Sequence, residues 1–233
     1  MLSSCGTIPS KPPVTVVLLP VDISHHTHPP GRPPVGAAHL ALFELGVCVT
    51  RFPISGIMQV EYPRFGYSSA GGVVASVSMT IGLSIEVWAT EGREAEVLPH
   101  EETHRAISEH YFQEAEAIAH RLGRTFIGRK VVLPAMEIKA AVEEGLKPLQ
   151  EELLARYEKE VKERCDFAQT RFDEITDNGR AVIGNKEAMT QAIAEEEAHW
   201  TSQSGTSEKE RPNKAPEPTP TSVMPRANEG ESK

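Results

Sequence analysis

Apolar and polar residues alternate strictly along residues 76–87, SVSMTIGLSIEV. The apolar positions are Val77, Met79, Ile81, Leu83, Ile85 and Val87. A period of two gives a strand one buried and one solvent face, so the segment predicts one long strand or a tight hairpin bent near Gly82. The short β-branched run VTVVLLPVDI at residues 14–23 predicts another strand, and residues 40–52 fit either a strand or a helix.

The pattern becomes helical from residue 99 onward. Pro99 suits the first position of a helix, and Glu101 and Glu102 lie where the positive end of the helix dipole favours carboxylates. The C-terminal end is marked by Arg121, Gly123 and Arg124. These signals predict one helix over residues 99–122. Its buried face consists of His100, His104, Ile107, Tyr111, Ala115, Ile118 and Leu122.

A second and longer amphipathic helix is predicted after a break that spans Gly145–Pro148. Apolar residues repeat there at intervals of three and four: Leu149, Leu153, Tyr157, Val161, Cys165, Ala168, Phe172 and Ile175. The repeat ends near Asn178 and Gly179, as is typical of a helix C-terminus. The predicted fold is therefore α+β, with a small antiparallel sheet packed on the helix that begins at Pro99 and on this long second helix.

Composition separates a folded body from two ends. Residues 201–233 are rich in Pro, Ser, Thr, Glu and Lys and have almost no large apolar side chains, which predicts a disordered tail. Residues 1–13 predict a flexible N-terminus, and residues 14–200 predict one α+β domain that ends in a short helix at 185–199. Within this domain, SHHTHPPGRPPVG at residues 24–36 predicts a solvated, proline-rich loop.

The charge and the hydropathy of the 233-residue chain exclude two classes of function. The formal net charge is -9 and the pI is near 5.5, whereas a protein that binds a phosphate backbone needs a concentrated basic face. Nucleic acid is therefore not expected as a partner. No apolar run approaches the roughly 18 residues of a membrane-spanning helix, so no transmembrane segment is expected.

The first residues read like the end of a bacterial lipoprotein signal. The segment Leu2–Cys5 has the form of the small-residue box before a lipidated cysteine, but only Met1 precedes it. A working signal needs a basic segment and an apolar segment of roughly 7–15 residues upstream. The pattern predicts a truncated lipoprotein start, with a lipid anchor through Cys5 and a location in the cell envelope or periplasm; the alternative is an ordinary flexible start. Cys48 and Cys165 are the other two cysteines, so one disulfide could form.

A candidate zinc motif lies at the start of the first predicted helix. In EVLPHEETHRAIS, residues 96–108, His100 and His104 are four apart and Glu101 follows the first histidine. Positions four apart on a helix differ by about 40° in azimuth and roughly 6 Å in height, so both imidazoles can bind one Zn²⁺ ion. Glu101 lies beside the ligands, where a carboxylate can accept a proton from metal-bound water. The alternative is a pair of core histidines satisfied by hydrogen bonds.

Two histidines do not complete a zinc site. His110 stands six residues after His104, at the spacing of a third histidine in one class of metalloproteases, but Ile107 replaces the glycine that lets the chain leave the helix there. In a continuous helix, His110 would lie about 9 Å farther along and about 120° away. We therefore expect the third ligand to come from another element.

Two blocks of the chain resemble a bacterial family of predicted zinc-dependent proteases, domain of unknown function nine-two-two. LPHEETHRAISEHYFQEAEAIAHRL at residues 98–122 resembles the HExxH helix of that family. QTRFDEITDNG at residues 169–179 is similar to a downstream pattern of glutamine, aromatic-aspartate, threonine and histidine-glycine. The sequence departs from the family where Asn178 replaces that histidine and where Glu102 and Thr103 replace an expected glutamine-glycine pair.

The resemblance implies a candidate for the third ligand. Asp173 matches the aspartate of the family pattern and lies on a polar stripe next to the buried Phe172. Asp177 and Glu174 are weaker candidates. The alternative is that Asp173 orients a ligating histidine or is an ordinary carboxylate on the helix surface.

The function that these features predict is zinc-dependent hydrolysis of peptide bonds in a peptide or protein substrate, with Glu101 as general base. An extended substrate could add to the alternating strand if the edge of that strand is free. Two other interpretations stay open. One is a non-catalytic envelope lipoprotein with a structural or degenerate metal site; the other is an unrelated helical interaction protein in which the HExxH spacing arises by chance.

Overall fold

A computed structural model of the chain describes residues 12–32, 45–61, 71–132 and 138–207. The chain forms two compact units, residues 1–197 and 198–233, and the described part of the second unit is helical. The segment Leu2–Cys5 and the tail beyond residue 207 lie outside the described residues. The predicted lipoprotein start and most of the predicted disordered tail therefore stay predictions.

The described strands form two mixed sheets. The strands are β1 (Val14–Leu18), β2 (Asp22–His28), β3 (Gly46–Arg51), β4 (Ile54–Glu61), β5 (Gly71–Ile81), β6 (Ser84–Thr90) and β7 (Lys130–Val132). One sheet has the order β1-β5-β4, with β7 also paired to β5, and the other has the order β2-β6-β3. The β1–β5 and β2–β6 pairs are parallel, and the remaining pairs are antiparallel. The α+β class is confirmed, and the sheets are mixed rather than purely antiparallel.

Three segments of the chain each contribute one strand to each sheet, so the two sheets are successive halves of one ribbon with a bend where the strands are interrupted. Backbone hydrogen bonds continue across the bend, from the N–H of Leu19 to the carbonyl of Ile81 at 2.9 Å and from Gly82 to Pro53 at 2.9 Å. A Cβ at Gly82 would lie 3.1 Å from Pro53 and 3.2 Å from Leu19. The alternating segment is therefore neither one strand nor a hairpin, because it crosses from one half to the other at Gly82.

The alternating segment forms the central strand of both halves. Its predicted inward positions are confirmed as buried: Val77, Met79, Ile81, Leu83, Ile85 and Val87 are at most 2% exposed. Because β5 and β6 have a paired strand on each side, neither offers an edge to a substrate. The free edge on which substrate addition to this strand depended is therefore not present in β5 or β6.

The segment predicted as a loop at residues 24–36 begins as a strand. Residues 24–28 belong to β2, which pairs with β6 in register from Asp22 opposite Ser84 to His28 opposite Thr90. The three histidines of this segment fit the strand because each finds a neighbour. His26 stacks on Trp88 at 4.3 Å, and His28 is 6% exposed.

Five described helices pack against the strands or against one another, and several of their boundaries differ from the predictions. They are α1 (Glu94–Gln113), α2 (Ala115–Arg124), α3 (Ile138–Glu158), α4 (Arg164–Thr176) and α5 (Asn185–Ser207), with one π-helical turn, Lys159–Glu163, between α3 and α4. The helix predicted at residues 99–122 begins earlier, at Glu94, and is interrupted at Glu114. Pro99 lies inside α1, where its missing N–H leaves the carbonyl of Ala95 without a helical partner. Ala95 is exposed, so water can satisfy that carbonyl.

The interruption at Glu114 lets the two helices pack on different clusters. Ile107 and Tyr111 of α1 pack with α4 and α5, whereas Ile118 and Leu122 of α2 pack with β5 and α3. All four side chains are at most 8% exposed, so the predicted apolar stripe is confirmed although the helix is not continuous.

The predicted break at Gly145–Pro148 is wrong, because α3 continues through both residues. Pro148 has no N–H, so the backbone carbonyl one turn earlier in α3 lacks its helical partner. Pro148 is exposed, so water can bind that carbonyl. Leu146, which is 5% exposed, holds this part of α3 against the core. The helix end predicted near Asn178 is confirmed, since α4 ends at Thr176 and is followed by left-handed residues.

Candidate metal centre

Three predicted site residues meet where α1 packs against α4. Nε2 of His104 lies 2.9 Å from Oδ1 of Asp173, and Nε2 of His100 lies 3.1 Å from the same oxygen. The two Nε2 atoms are 3.1 Å apart. Among the described residues, these are the only three His, Cys, Asp or Glu side chains grouped closely enough to hold a metal ion.

The triangle has the dimensions of one face of a zinc site. Ligand atoms at about 2.0–2.1 Å from a tetrahedral zinc ion are separated from one another by about 3.3 Å. The observed separations of 2.9–3.1 Å fall slightly short of this value. A small outward movement of the three side chains would therefore give tetrahedral spacing.

Helix packing explains why the three side chains converge. His100 and His104 lie one turn apart on the inward face of α1. Phe172 of α4 is fully buried beneath them: its ring stacks on His100 at 4.8 Å and meets the edge of His104 at 5.0 Å. Asp173 follows Phe172 directly, so its carboxylate reaches both imidazoles.

The three groups are electrostatically coupled. Burial by itself raises the pKa of Asp173, but hydrogen bonds with His100 and His104 outweigh it and bring the pKa to about 2. Burial by itself lowers the pKa of His104, but the hydrogen bond and charge of Asp173, together with the charge of Glu101, raise the pKa above its ordinary value. Asp173 is thus an anion under ordinary conditions, as a metal ligand must be.

The outer nitrogen of His104 is held by Gln169. Nδ1 of His104 contacts Oε1 of Gln169, and Nε2 of Gln169 donates to Oγ of Ser108 at 2.9 Å. Ser108 is fully buried and also lies 2.7 Å from Oγ1 of Thr50 in β3. Outer hydrogen bonds of this kind orient a histidine ligand and fix its tautomer.

The outer nitrogen of His100 has a different environment. Within the described parts of the chain, Nδ1 of His100 is buried without a hydrogen-bond partner. Gly179 packs against this ring, and a Cβ at Gly179 would lie 3.3 Å from Nδ1. On the Nδ1 side, packing against Gly179 and Phe172 therefore holds the ring of His100 in place of a hydrogen bond.

Glu101 lies under the beginning of β3. The side chain is buried, with the residue 6% exposed, and Gly46 passes directly above it. A Cβ at Gly46 would lie 2.8 Å from Oε1 of Glu101 and 2.1 Å from Cγ1 of Val97. The absence of a side chain at Gly46 is what lets the strand approach α1 at this point.

The other acidic and histidine candidates lie elsewhere. Glu102 is only partly exposed, because its carboxylate pairs with His25 of β2 at 2.5 Å and with Arg105. His110 contacts the ring of Tyr111 and is not in the cluster, and neither are Asp177 and Glu174.

Asn178 stands just beyond the cluster. It is exposed, adopts a left-handed φ of 52°, and donates its backbone N–H to the carbonyl of Asp173 at 2.9 Å. The position where the resembling family has a histidine is therefore next to the third candidate ligand.

The cluster opens to solvent on one side. The side chains of His100 and His104 are 14% and 9% exposed, whereas that of Asp173 is 37% exposed. A molecule that approaches a bound ion would therefore come from the side of Asp173.

Sequence reasoning missed one buried charge. Glu196 of α5 is fully buried, and its carboxylate accepts hydrogen bonds from Arg164 at 2.5 and 2.9 Å and from the hydroxyl of Tyr111 at 3.0 Å. A glutamate within the acidic run AEEEA gives no signal of burial, except that it lies four residues after Ala192, which is also buried.

Comparisons of the chain with protein-family models, with curated proteins and with solved structures give no match. The family resemblance therefore stays a prediction that rests on the two quoted blocks. Within the described residues, no helix combines the length and the apolar character that crossing a membrane requires.

Proposed function

We propose that the chain is a zinc-dependent peptidase in which His100, His104 and Asp173 hold the ion. The observation that carries this proposal is the triangle of two imidazole nitrogens and one carboxylate oxygen with sides of 2.9–3.1 Å. Imidazole and carboxylate groups in this combination are typical zinc ligands. A bound zinc ion supplies a Lewis acid that polarises the peptide carbonyl and acidifies water.

The number of ligands supports catalysis over a purely structural role. Structural zinc sites use four protein ligands, whereas catalytic sites use three and leave one position for water or substrate. The described residues supply three, and the cluster is most exposed at Asp173. A substrate carbonyl therefore has a route to the ion.

Glu101 is the proposed general base. It accepts a proton from the water that attacks the carbonyl carbon and returns it to the leaving amine when the C–N bond breaks, so that water is divided between the two products. Its burial beneath Gly46 limits the positions that its carboxylate can adopt. The substrate is a peptide or protein segment that is extended enough to reach the cluster.

A second candidate is a non-catalytic protein of the cell envelope, anchored by lipid through Cys5, with a structural or degenerate metal site. Asn178 favours this candidate because it replaces a histidine in the pattern of the resembling family and adjoins Asp173. An asparagine amide is a poor zinc ligand and a poor proton donor.

Hydrolysis of unfolded casein by zinc-loaded protein separates the two candidates. Glu101→Gln should keep zinc and lose about 10²–10⁴-fold in turnover, because the amide preserves shape and removes the proton acceptor. Glu102→Gln is the matched control, since Glu102 lies on the next position of the helix and pairs with His25 outside the cluster. Zinc binding without hydrolysis would favour the second candidate, and absence of zinc from the wild-type protein would contradict both.

A further inference from the structure

A set of hydrogen bonds behind His104 joins three elements of the fold. The hydroxyl of Ser108 donates to the backbone carbonyl of His104 at 3.0 Å, one turn earlier in α1. Gln169 of α4 donates its amide nitrogen to the same Ser108 oxygen at 2.9 Å. Thr50 of β3 lies 2.7 Å from that oxygen. The thiol of Cys165 in α4 also lies 3.9 Å from that oxygen, so all four described partners of this hydroxyl are groups on packed elements.

The number of protons available fixes the direction of these bonds. Ser108 has one hydroxyl proton, which goes to the carbonyl of His104, so its oxygen can only accept from other groups. Thr50 therefore donates to the oxygen of Ser108, and Gln169 must face that oxygen with its amide nitrogen. The amide oxygen of Gln169 then faces Nδ1 of His104, and that nitrogen must carry a proton.

We infer that Gln169 is a positioning residue that accepts the Nδ1 proton of His104 and thereby leaves Nε2 as the ring nitrogen that faces the cluster. Ser108 and Thr50 prevent the amide of Gln169 from reversing. The proton on Nδ1 follows from the hydrogen bonds of Gln169, whereas its consequence for zinc rests on the proposed function.

His100 provides the contrast. Its Nδ1 has no hydrogen-bond partner in the described residues, and on that side the ring only packs against Phe172 and Gly179. The two histidines are therefore not equivalent: a hydrogen bond from the outer nitrogen orients His104 before an ion arrives, and the outer nitrogen of His100 has no such bond.

NMR of metal-free protein with isotope-labelled histidines tests the tautomer without any ion. The wild-type protein should show a ring proton on Nδ1 of His104 that exchanges slowly with solvent, because the bond to Gln169 is buried. Gln169→Met should lose this slowly exchanging signal while keeping the size of the side chain. A wild-type His104 with no proton on Nδ1 would overturn the inference.

Zinc competition with a chelating dye tests the consequence. Gln169→Met should weaken zinc binding by about 10–100-fold, the range for loss of an outer partner of a histidine ligand. Gln169→Glu should bind within a few-fold of the wild type, because its carboxylate still accepts from Nδ1. Thr170→Ala, at an exposed neighbouring position, controls for changes in α4.

The two variants separate positioning from packing. Unchanged zinc affinity in Gln169→Met, which keeps the size of the side chain, would show that Gln169 only fills space and would overturn the inference. If the wild-type protein binds no zinc, the proposed function fails, and the ring proton of His104 still decides the tautomer.

Discussion

Replacing Asp173 with asparagine tests the third ligand with little change of shape. The amide keeps one oxygen near the two imidazoles but removes the negative charge that couples them. The change should therefore have a small effect on the metal-free protein and a large effect on the zinc-loaded protein.

The effect of Asp173→Asn on the stability of the metal-free protein can be calculated from the pKa of Asp173. The lowering of the pKa of Asp173 to about 2 corresponds to roughly 2–3 kcal/mol in the free energy of unfolding at neutral pH. The side chain is 37% exposed, so screening by solvent reduces this to about 1 kcal/mol. In a protein of this size, that free energy corresponds to a melting temperature lower by about 2–4 °C.

The sign of the pH dependence follows from the depressed pKa. The contribution of Asp173 is complete above the unfolded pKa of about 3.9 and is lost as pH falls through the folded pKa of about 2. The difference in stability between metal-free wild type and Asp173→Asn should therefore shrink as pH falls below about 5 and disappear near pH 2.

The large effect appears when zinc is present. Loss of a direct ligand should weaken zinc binding by more than the 10–100-fold that outer partners contribute. A 100-fold loss corresponds to about 2.7 kcal/mol, which adds roughly 5–10 °C to the difference in melting temperature at saturating zinc. Melting curves with zinc and with a chelator, together with zinc competition, measure both quantities.

Equal lowering of the melting temperature with and without zinc would refute direct ligation by Asp173. A decrease in zinc affinity within the 10–100-fold range would instead assign Asp173 to orienting the histidines. Unchanged affinity would remove Asp173 from the site.

Two other substitutions probe the surroundings of the site. Gly46→Ala places a methyl group 2.1 Å from Val97 and 2.8 Å from Glu101. Casein hydrolysis should therefore fall while zinc content is retained, and the free energy of unfolding should drop by about 1–3 kcal/mol. Native hydrolysis would contradict this placement of Glu101. Glu196→Ala leaves the guanidinium of Arg164 without its buried carboxylate and should cost about 3–5 kcal/mol in urea unfolding. A loss below about 1 kcal/mol would show that the pair is not buried in solution.

The wrong boundaries in the helices have a common cause. Pro99 and Pro148 both lie inside helices, although proline favours a helix start or a break. Both are exposed, so water can satisfy the carbonyls that lose a partner, while neighbouring apolar side chains keep the helix in place. Local preference was outweighed by packing, which a sequence read in short windows does not contain.

The spacing of apolar residues along the chain indicates the π-helical turn at Lys159–Glu163. Leu149, Leu153, Tyr157, Val161 and Cys165 are spaced by four residues throughout. In an α-helix each such step advances the stripe by about 40°, so four steps would rotate it by about 160°. A wider turn rotates less per residue and reduces this drift, which keeps the buried stripe directed inward from α3 into α4.

The sequence by itself determined the features that depend on residues close together in the chain. The period-two alternation fixed which face of β5 and β6 is buried, and the spacing of His100 and His104 placed both rings on one face of α1. The same spacing argument excluded His110. The identity of Asp173 came from resemblance and stayed one of several possibilities, because no local rule says which residues of two distant helices will meet.

Only the tertiary structure decided which residues of the two helices come together and how they interact. The packing of α4 on α1 brought Asp173 within 3.1 Å of both imidazoles and placed Gln169 behind His104, across 65 or more positions of the chain. The bend at Gly82 made the alternating segment central in both halves of the sheet, which removed it as a binding edge. These outcomes depend on long-range packing of whole helices and strands, whose free energy is summed over many buried contacts and is not encoded in any short segment.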